Sequence, residues 1–172
     1  MKRVGAAVLV MGVVLTAAVV YTAAKGDDDV LRQAKDRAQI EELMWRYARA
    51  LDTGDAETYA SLYTPDGQFS AGPTATKGRD ALKKMISGTG QRQGGQPNAE
   101  ARRPPMYHMT ANDQLRFIDK DHARIDAYYI TLFGAAGEGT PARVAAVGRS
   151  IDELVRLNGQ WLIKSRNVAP QD

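Results

Sequence analysis

Few residues in this chain are suited to proton chemistry. It has two histidines, His108 and His122, and no cysteine. Imidazole takes up and releases a proton near neutral pH, so a histidine is the usual base for an elimination or an isomerisation. Without cysteine there is no thiolate nucleophile, no disulfide framework and no cysteine metal site. The two histidines lie far apart and form no H-x-x-x-H pattern, so neither a metal centre nor another cofactor is expected. His122 follows Asp119-Lys120-Asp121, a turn-like run, and is expected to face solvent. His108 stands in "YHMTAN", within a run of strand-forming residues. Alternation puts His108, Thr110, Asn112 and Gln114 on one face, which is either the solvated side of a half-buried strand or the wall of a site. A base there needs a carboxylate on its other ring nitrogen, and the chemistry needs a donor for developing negative charge.

The elements that would carry these groups follow from periodicity. Over residues 29–51 the apolar positions Ile40, Leu43, Met44, Tyr47, Ala48 and Leu51 recur at three and four, the stripe of an amphipathic helix. Thr53-Gly54 ends it, and Asp55 is placed to cap a second helix over "AETYASLY". "TPDG" reads as a turn, "QFSA" as a short strand that Gly72-Pro73 breaks, and Asp80 opens a third helix with Leu82, Met85 and Ile86 inward. Residues 87–105, rich in Gly and Pro, read as a long loop. Its "GTGQRQGG" is no phosphate cradle, since no strand precedes it and no Gly-Lys-Ser/Thr follows. Strands are predicted over 106–118, 122–134, 142–157 and 160–169, with Asn158-Gly159 a strong hairpin signal between the last two. Helices followed by an antiparallel meander argue for an α+β domain with helices on one face of a curved sheet.

The 172 residues suffice for one domain with a real core. The net charge is +3, of which Lys2 and Arg3 supply two, so the body is nearly neutral and gives no reason to expect nucleic acid as a partner. After those two cations comes an unbroken apolar and small run over residues 4–21, then Thr22-Ala23-Ala24 and a polar stretch with three aspartates. This is the pattern of an export signal, and 18 residues are also just long enough to span a bilayer. Residues 1–24 are therefore expected to be a signal peptide or an N-terminal membrane anchor. Residues 25–172 would be one domain outside the cytoplasm, periplasmic or held on the outer face of the membrane.

"ALDTGDAETYASLYTPDGQF", the terminal "NGQWLIKSRN" and the order of elements resemble the SnoaL-like branch of the nuclear transport factor 2-like superfamily. The resemblance spans about residues 30–169. It implies a cone-shaped fold, with three helices closing a curved, mainly antiparallel sheet around an apolar pocket, and commonly a homodimer through the outer sheet face. Within that branch the chain is similar in motif to the scytalone dehydratase and hexachlorocyclohexane dehydrochlorinase group. By that resemblance Asp52, at the end of the first helix, orients the base His108, and Arg166, five residues past Trp161, and Asn112 match residues of the dehydrochlorinase. Tyr47 matches, by its distance to "GD", the oxyanion-donating tyrosine of ketosteroid isomerase. Two departures stand out. The dehydratase has a second catalytic histidine on the strand after His108, where this chain has Tyr128 and Tyr129, and the dehydrochlorinase has a lysine where Tyr47 falls.

Each residue has a plainer alternative. Asp52 can be a turn aspartate, Tyr47 a core residue with a satisfied hydroxyl and Arg166 a surface arginine, while Trp45 faces away from the main stripe, toward a neighbour or a dimer partner. Two functions are consistent with the whole. One is a cofactor-independent lyase or isomerase acting on a small hydrophobic, ring-like molecule, in a pocket walled by Met44, Leu62, Phe69, Met85, Met109 and Phe133. The other is a non-catalytic ligand-binding or membrane-anchored accessory module of the same fold.

Overall fold

The structure is a computed structural model. It describes residues 5–92, 104–135, 139 and 141–170, with side chains described at 27–88, 104–135, 139 and 141–170. Two compact units divide the chain, Met1–Ile40 and Glu41–Asp172. A single helix, α1 (Gly5–Thr53), contributes to both. In the first unit Arg32 bridges Asp29 and Asp36 at one-turn spacing, with separations of 3.3 and 3.4 Å. The side chains of the apolar run at 4–21 lie outside the described residues. Among the described residues no helix is long and apolar enough to cross a membrane.

In the second unit the end of α1 buries Leu43, Tyr47 and Ala50 along one stripe. Gly54, at φ 70°, takes the left-handed conformation that ends the helix. Its N–H donates to Leu51 O, and the Asp55 N–H donates to Ala50 O at 2.8 Å. Asp55 then caps α2 (Ala56–Ser61) by accepting from the Thr58 N–H at 2.9 Å. α3 (Arg79–Arg92) seats Leu82 and Ile86 in the core. Helix thus occupies residues 87–92, expected as loop; Gly88 and Gly90 cost about 1 kcal/mol each in a helix, too little to end a ladder anchored by Ile86. Residues 93–103 of that expected loop lie outside the described residues.

One mixed sheet completes the unit. Its strands are β1 (Tyr63–Ser70), β2 (Ala75–Lys77), β3 (Met106–Phe117), β4 (His122–Phe133), β5 (Arg143–Leu157) and β6 (Gln160–Asn167). The order is β2-β1-β6-β5-β4-β3, antiparallel throughout except for β1 beside β6. "TPDG" is not a turn: it lies within β1, where the register shifts between Tyr63 and Gln68. Gly67 makes that strand path feasible, since a Cβ there would stand 2.9 Å from Tyr63 Cβ and 3.0 Å from Ile163 O. β2 was not expected from the sequence. Asn158 and Gly159 both take positive φ, 51° and 78°, as the tight β5–β6 hairpin requires. Each of the four long ladders carries a register shift, and such bulges bend a sheet and increase its twist. The core lies against the inner face, on Ala123, Ile125, Ala127, Leu154, Trp161 and Ile163.

Candidate functional site

The end of α1, α3 and the inner face of the sheet surround an open cavity of about 1030 Å³. That is at the upper end of the range for small-molecule sites, roughly 300–1,000 Å³. Phe69, Met85 and Phe133 line it, as the sequence suggested, and Met106 adds to the apolar wall; Met109 and Ile130 border it but alternate with His108 and Thr131, so that their side chains turn to the outer face of the sheet. Met44 and Leu62 do not line it; Leu62 is buried in the core instead.

His108 projects from β3 toward the end of α1. Its Nδ1 lies 2.9 Å from Asp52 Oδ1, and the same oxygen accepts the His108 backbone N–H at 2.9 Å. Both residues line the cavity. The Asp52 side chain is 9% exposed and that of His108 23%, so the pair is shielded without being sealed. With Nδ1–H donated to the carboxylate, a neutral ring presents Nε2 as an acceptor. Asp52 Oδ2 meets the half-exposed Arg49 at 3.6 Å. The helix-ending glycine positions this geometry, because it stops α1 two residues after Asp52.

A second polar group lies deeper. Arg166 is buried and lines the cavity, and its Nη1 donates to both carboxylate oxygens of Asp152 at 2.7 Å. Ser150 Oγ donates to Asp152 Oδ2 at 3.4 Å. The Arg166 guanidinium stacks over the Tyr47 ring at 4.5 Å. Tyr47, Tyr59 and Tyr63 follow in sequence with ring separations of 5.4 and 5.2 Å, and the last two hydroxyls share a hydrogen bond of 2.9 Å. Burial raises the pKa of Tyr47, although Arg166 draws it down, so its hydroxyl stays protonated. Burial alone would lower the pKa of Arg166, but Tyr47, Asp152 and Tyr63 together raise it, and the guanidinium stays charged. Burial pushes the Asp152 carboxyl up, and Arg166 opposes it. Arg166 Nε is buried with no hydrogen-bond partner among the described residues. A charged N–H left unpaired beside a cavity is the kind of group a ligand or water oxygen completes.

The structure therefore brings His108, Asp52, Tyr47 and Arg166 to one cavity and leaves Asn112 out. The β3–β4 register shifts between Ala111 and Gln114, and Asn112 is the extra residue, exposed at φ 51°. Asparagine tolerates this left-handed conformation, which is the physical reason for its presence there. The alternation expected for His108, Thr110, Asn112 and Gln114 stops at this bulge. Trp45, off the helix stripe, is exposed, and His122 is exposed on Asp119, both as expected. Of Tyr128 and Tyr129, which the resemblance set where the dehydratase has its second histidine, Tyr129 lines the cavity; sequence reasoning missed Thr131, Arg143 and Ala146 on the cavity wall, and Asp152 behind Arg166. Alternation outward from His108 and its strand partner would have found Thr131. Counting back from the Asn158-Gly159 hairpin would have set Asp152 opposite Ser165; a register shift after Glu153 sets it opposite Arg166. Among the described residues no three metal-ligating side chains converge.

A family model described as a SnoaL-like domain matches residues 32–167. No curated protein matches the sequence. Solved structures of similar fold include a variant of Rv3472, a protein of unknown function from Mycobacterium tuberculosis, at 22% identity and TM-score 0.68, covering 83% of this chain and 75% of that one. A candidate scytalone dehydratase from Novosphingobium aromaticivorans aligns at 24% identity and TM-score 0.65, over 83% of this chain and 89% of its own. A protein from Catenulispora acidiphila, solved in complex with S-DNPA, aligns at 25% identity and TM-score 0.63, over 77% and 91%.

Proposed function

From the premise that this chain belongs to the SnoaL-like domain family, we propose that it is a lyase or isomerase that needs no cofactor and acts on a small, mostly apolar, ring-like molecule. The observation that carries this reading is the 2.9 Å contact between His108 Nδ1 and Asp52 Oδ1 at a cavity wall. His108 Nε2 takes a proton from a substrate carbon. The electron pair left behind either forms a C=C bond as a leaving group departs, or moves onto a neighbouring carbonyl as an enolate. Asp52 holds the tautomer and stabilises the imidazolium. Tyr47 and Arg166 supply a protonated hydroxyl and a fixed positive charge where negative charge develops. The largely apolar lining favours hydrophobic substrates, and a protein of similar fold from Catenulispora acidiphila is solved in complex with S-DNPA. The run at residues 4–21 supports export, with this chemistry taking place outside the cytoplasm.

The test is proton exchange and turnover across a panel of cyclic ketones and halides in D2O, followed by NMR. Wild type should accelerate at least one; His108→Ala should lower that rate by about 100-fold or more, in line with the usual contribution of a general base. Undiminished turnover in His108→Ala overturns the dyad. A second reading, a non-catalytic binder, draws on the backbone bond: Asp52 Oδ1 also fastens β3 to α1 through the His108 N–H, which a purely structural aspartate would do. Asp52→Asn retains a carbonyl oxygen for that bond and loses the charge. A full loss of rate with an unchanged melting temperature supports catalysis, whereas a loss of stability in Asp52→Asn, with no turnover of any panel compound by the wild type, supports the binder.

A further inference from the structure

Tyr128 and Tyr129 are adjacent on β4, and a strand turns neighbours to opposite faces. Tyr128 is on the outer face, 54% exposed, whereas Tyr129 lines the cavity. Register puts Tyr129 opposite Thr110 on β3 and Gly148 on β5, and Thr131 opposite His108 and Ala146. Tyr129 is therefore the diagonal neighbour of His108 across the β3–β4 ladder, a relation that spans about 7–8 Å between backbones, while its ring turns to the other side, over β5. The inner row of β5 reads Ala146, Gly148, Ser150, Asp152. The Tyr129 ring lies across this row at the one position that has no Cβ. A Cβ on Gly148 would stand 2.8 Å from Tyr129 Cε1 and 2.8 Å from its hydroxyl oxygen. Gly148 is thus the slot in which the ring rests.

The hydroxyl has no hydrogen-bond partner among the described residues, unlike those of Tyr59 and Tyr63, which bond to each other. A half-buried hydroxyl in an apolar cavity is completed by a ligand or by water. We propose that Tyr129, seated on Gly148, is a specificity-determining residue that donates a hydrogen bond to an oxygen on the bound molecule. The cavity then prefers ring compounds bearing a carbonyl oxygen to hydrocarbons of the same shape. This deepens the functional reading above and rests on its cavity, not on its dyad.

The experiment compares the affinity of the full chain for 2-acetylnaphthalene and 2-ethylnaphthalene, a pair that differs in the carbonyl oxygen, by fluorescence titration. One net hydrogen bond corresponds to a preference of about fivefold for the ketone in wild type. Tyr129→Phe keeps the ring and should abolish the preference, with ethylnaphthalene affinity changed by less than about twofold. Gly148→Ala displaces the ring and should abolish it as well, so the outcome does not depend on one variant. His108→Ala should retain it. A preference that survives in Tyr129→Phe, no preference in wild type, or no binding of either probe overturns the inference. Loss of the preference in Tyr129→Phe together with full turnover in His108→Ala would leave the inference standing and remove the dyad.

Discussion

The Arg166–Asp152 pair is the most exacting arrangement of side chains in the protein. Both residues are almost fully shielded from water, and one guanidinium nitrogen serves both carboxylate oxygens. A buried pair of this kind gains little over an apolar one, but removing one partner strands a charge. Asp152→Ala should therefore cost about 3–5 kcal/mol in urea unfolding, and should impair turnover by releasing the guanidinium from the Tyr47 ring. Asp52 differs in that it can be read in two ways at once, since one carboxylate oxygen meets both the ring and the backbone of His108. Of the candidate residues, His108 could be singled out from residue type, and Asp52, Tyr47 and Arg166 from resemblance. Asp152 could not, because only a ladder irregularity sets it opposite Arg166.

Bulges explain both the success and the failure of periodic reasoning about the elements. Period-two alternation holds as long as the register does. It correctly placed the four long strands and the hairpin at Asn158-Gly159. It failed at Asn112, where one extra residue ends the alternation, and at the end of β6, where the same kind of slip turns Arg166 inward instead of toward solvent. In β1, Asp66 and Gly67 carried a turn signal that the neighbouring β6 overrides by pairing in parallel. Because a Cβ at Gly67 would meet the backbone of β1 and β6 rather than the end of a flexible side chain, Gly67→Ala should destabilise the protein by about 1–3 kcal/mol. Thermal unfolding followed by circular dichroism would show it as a lower Tm. An unchanged Tm would mean that β1 is free to shift there.

In the second unit, the two faces of the sheet differ in character. The inner face carries the cavity and the core. The outer face of β3–β5 exposes Tyr107, Met109, Tyr128, Val144 and Val147, neighbours across successive rungs. Contiguous apolar surface of this kind commonly marks an interface, and a second copy of the chain, offering the same patch about a two-fold axis, matches it in chemistry. Sedimentation of the wild type should therefore give a dimer, and Val147→Lys, whose side chain is 65% exposed, should give a monomer with unchanged secondary structure. A wild-type monomer would leave that face without a self-partner.

Taken by itself, the sequence determined the class of fold, the order of its long elements, the helix stop at Gly54 and the hairpin at Asn158-Gly159, and it marked His108 by residue type as the candidate base. These depend on local physics: which residues tolerate left-handed backbone, which periods bury apolar side chains, and which side chain titrates near neutrality. Tertiary structure alone decided that Asp52 reaches His108 across 56 residues, that Arg166 faces inward onto Asp152, that Asn112 does not join the site, and that Tyr129 rests in the space left by Gly148. Each of these depends on strand register and on the closure of helix against sheet, which are properties of pairs of distant segments and are absent from any short stretch of chain.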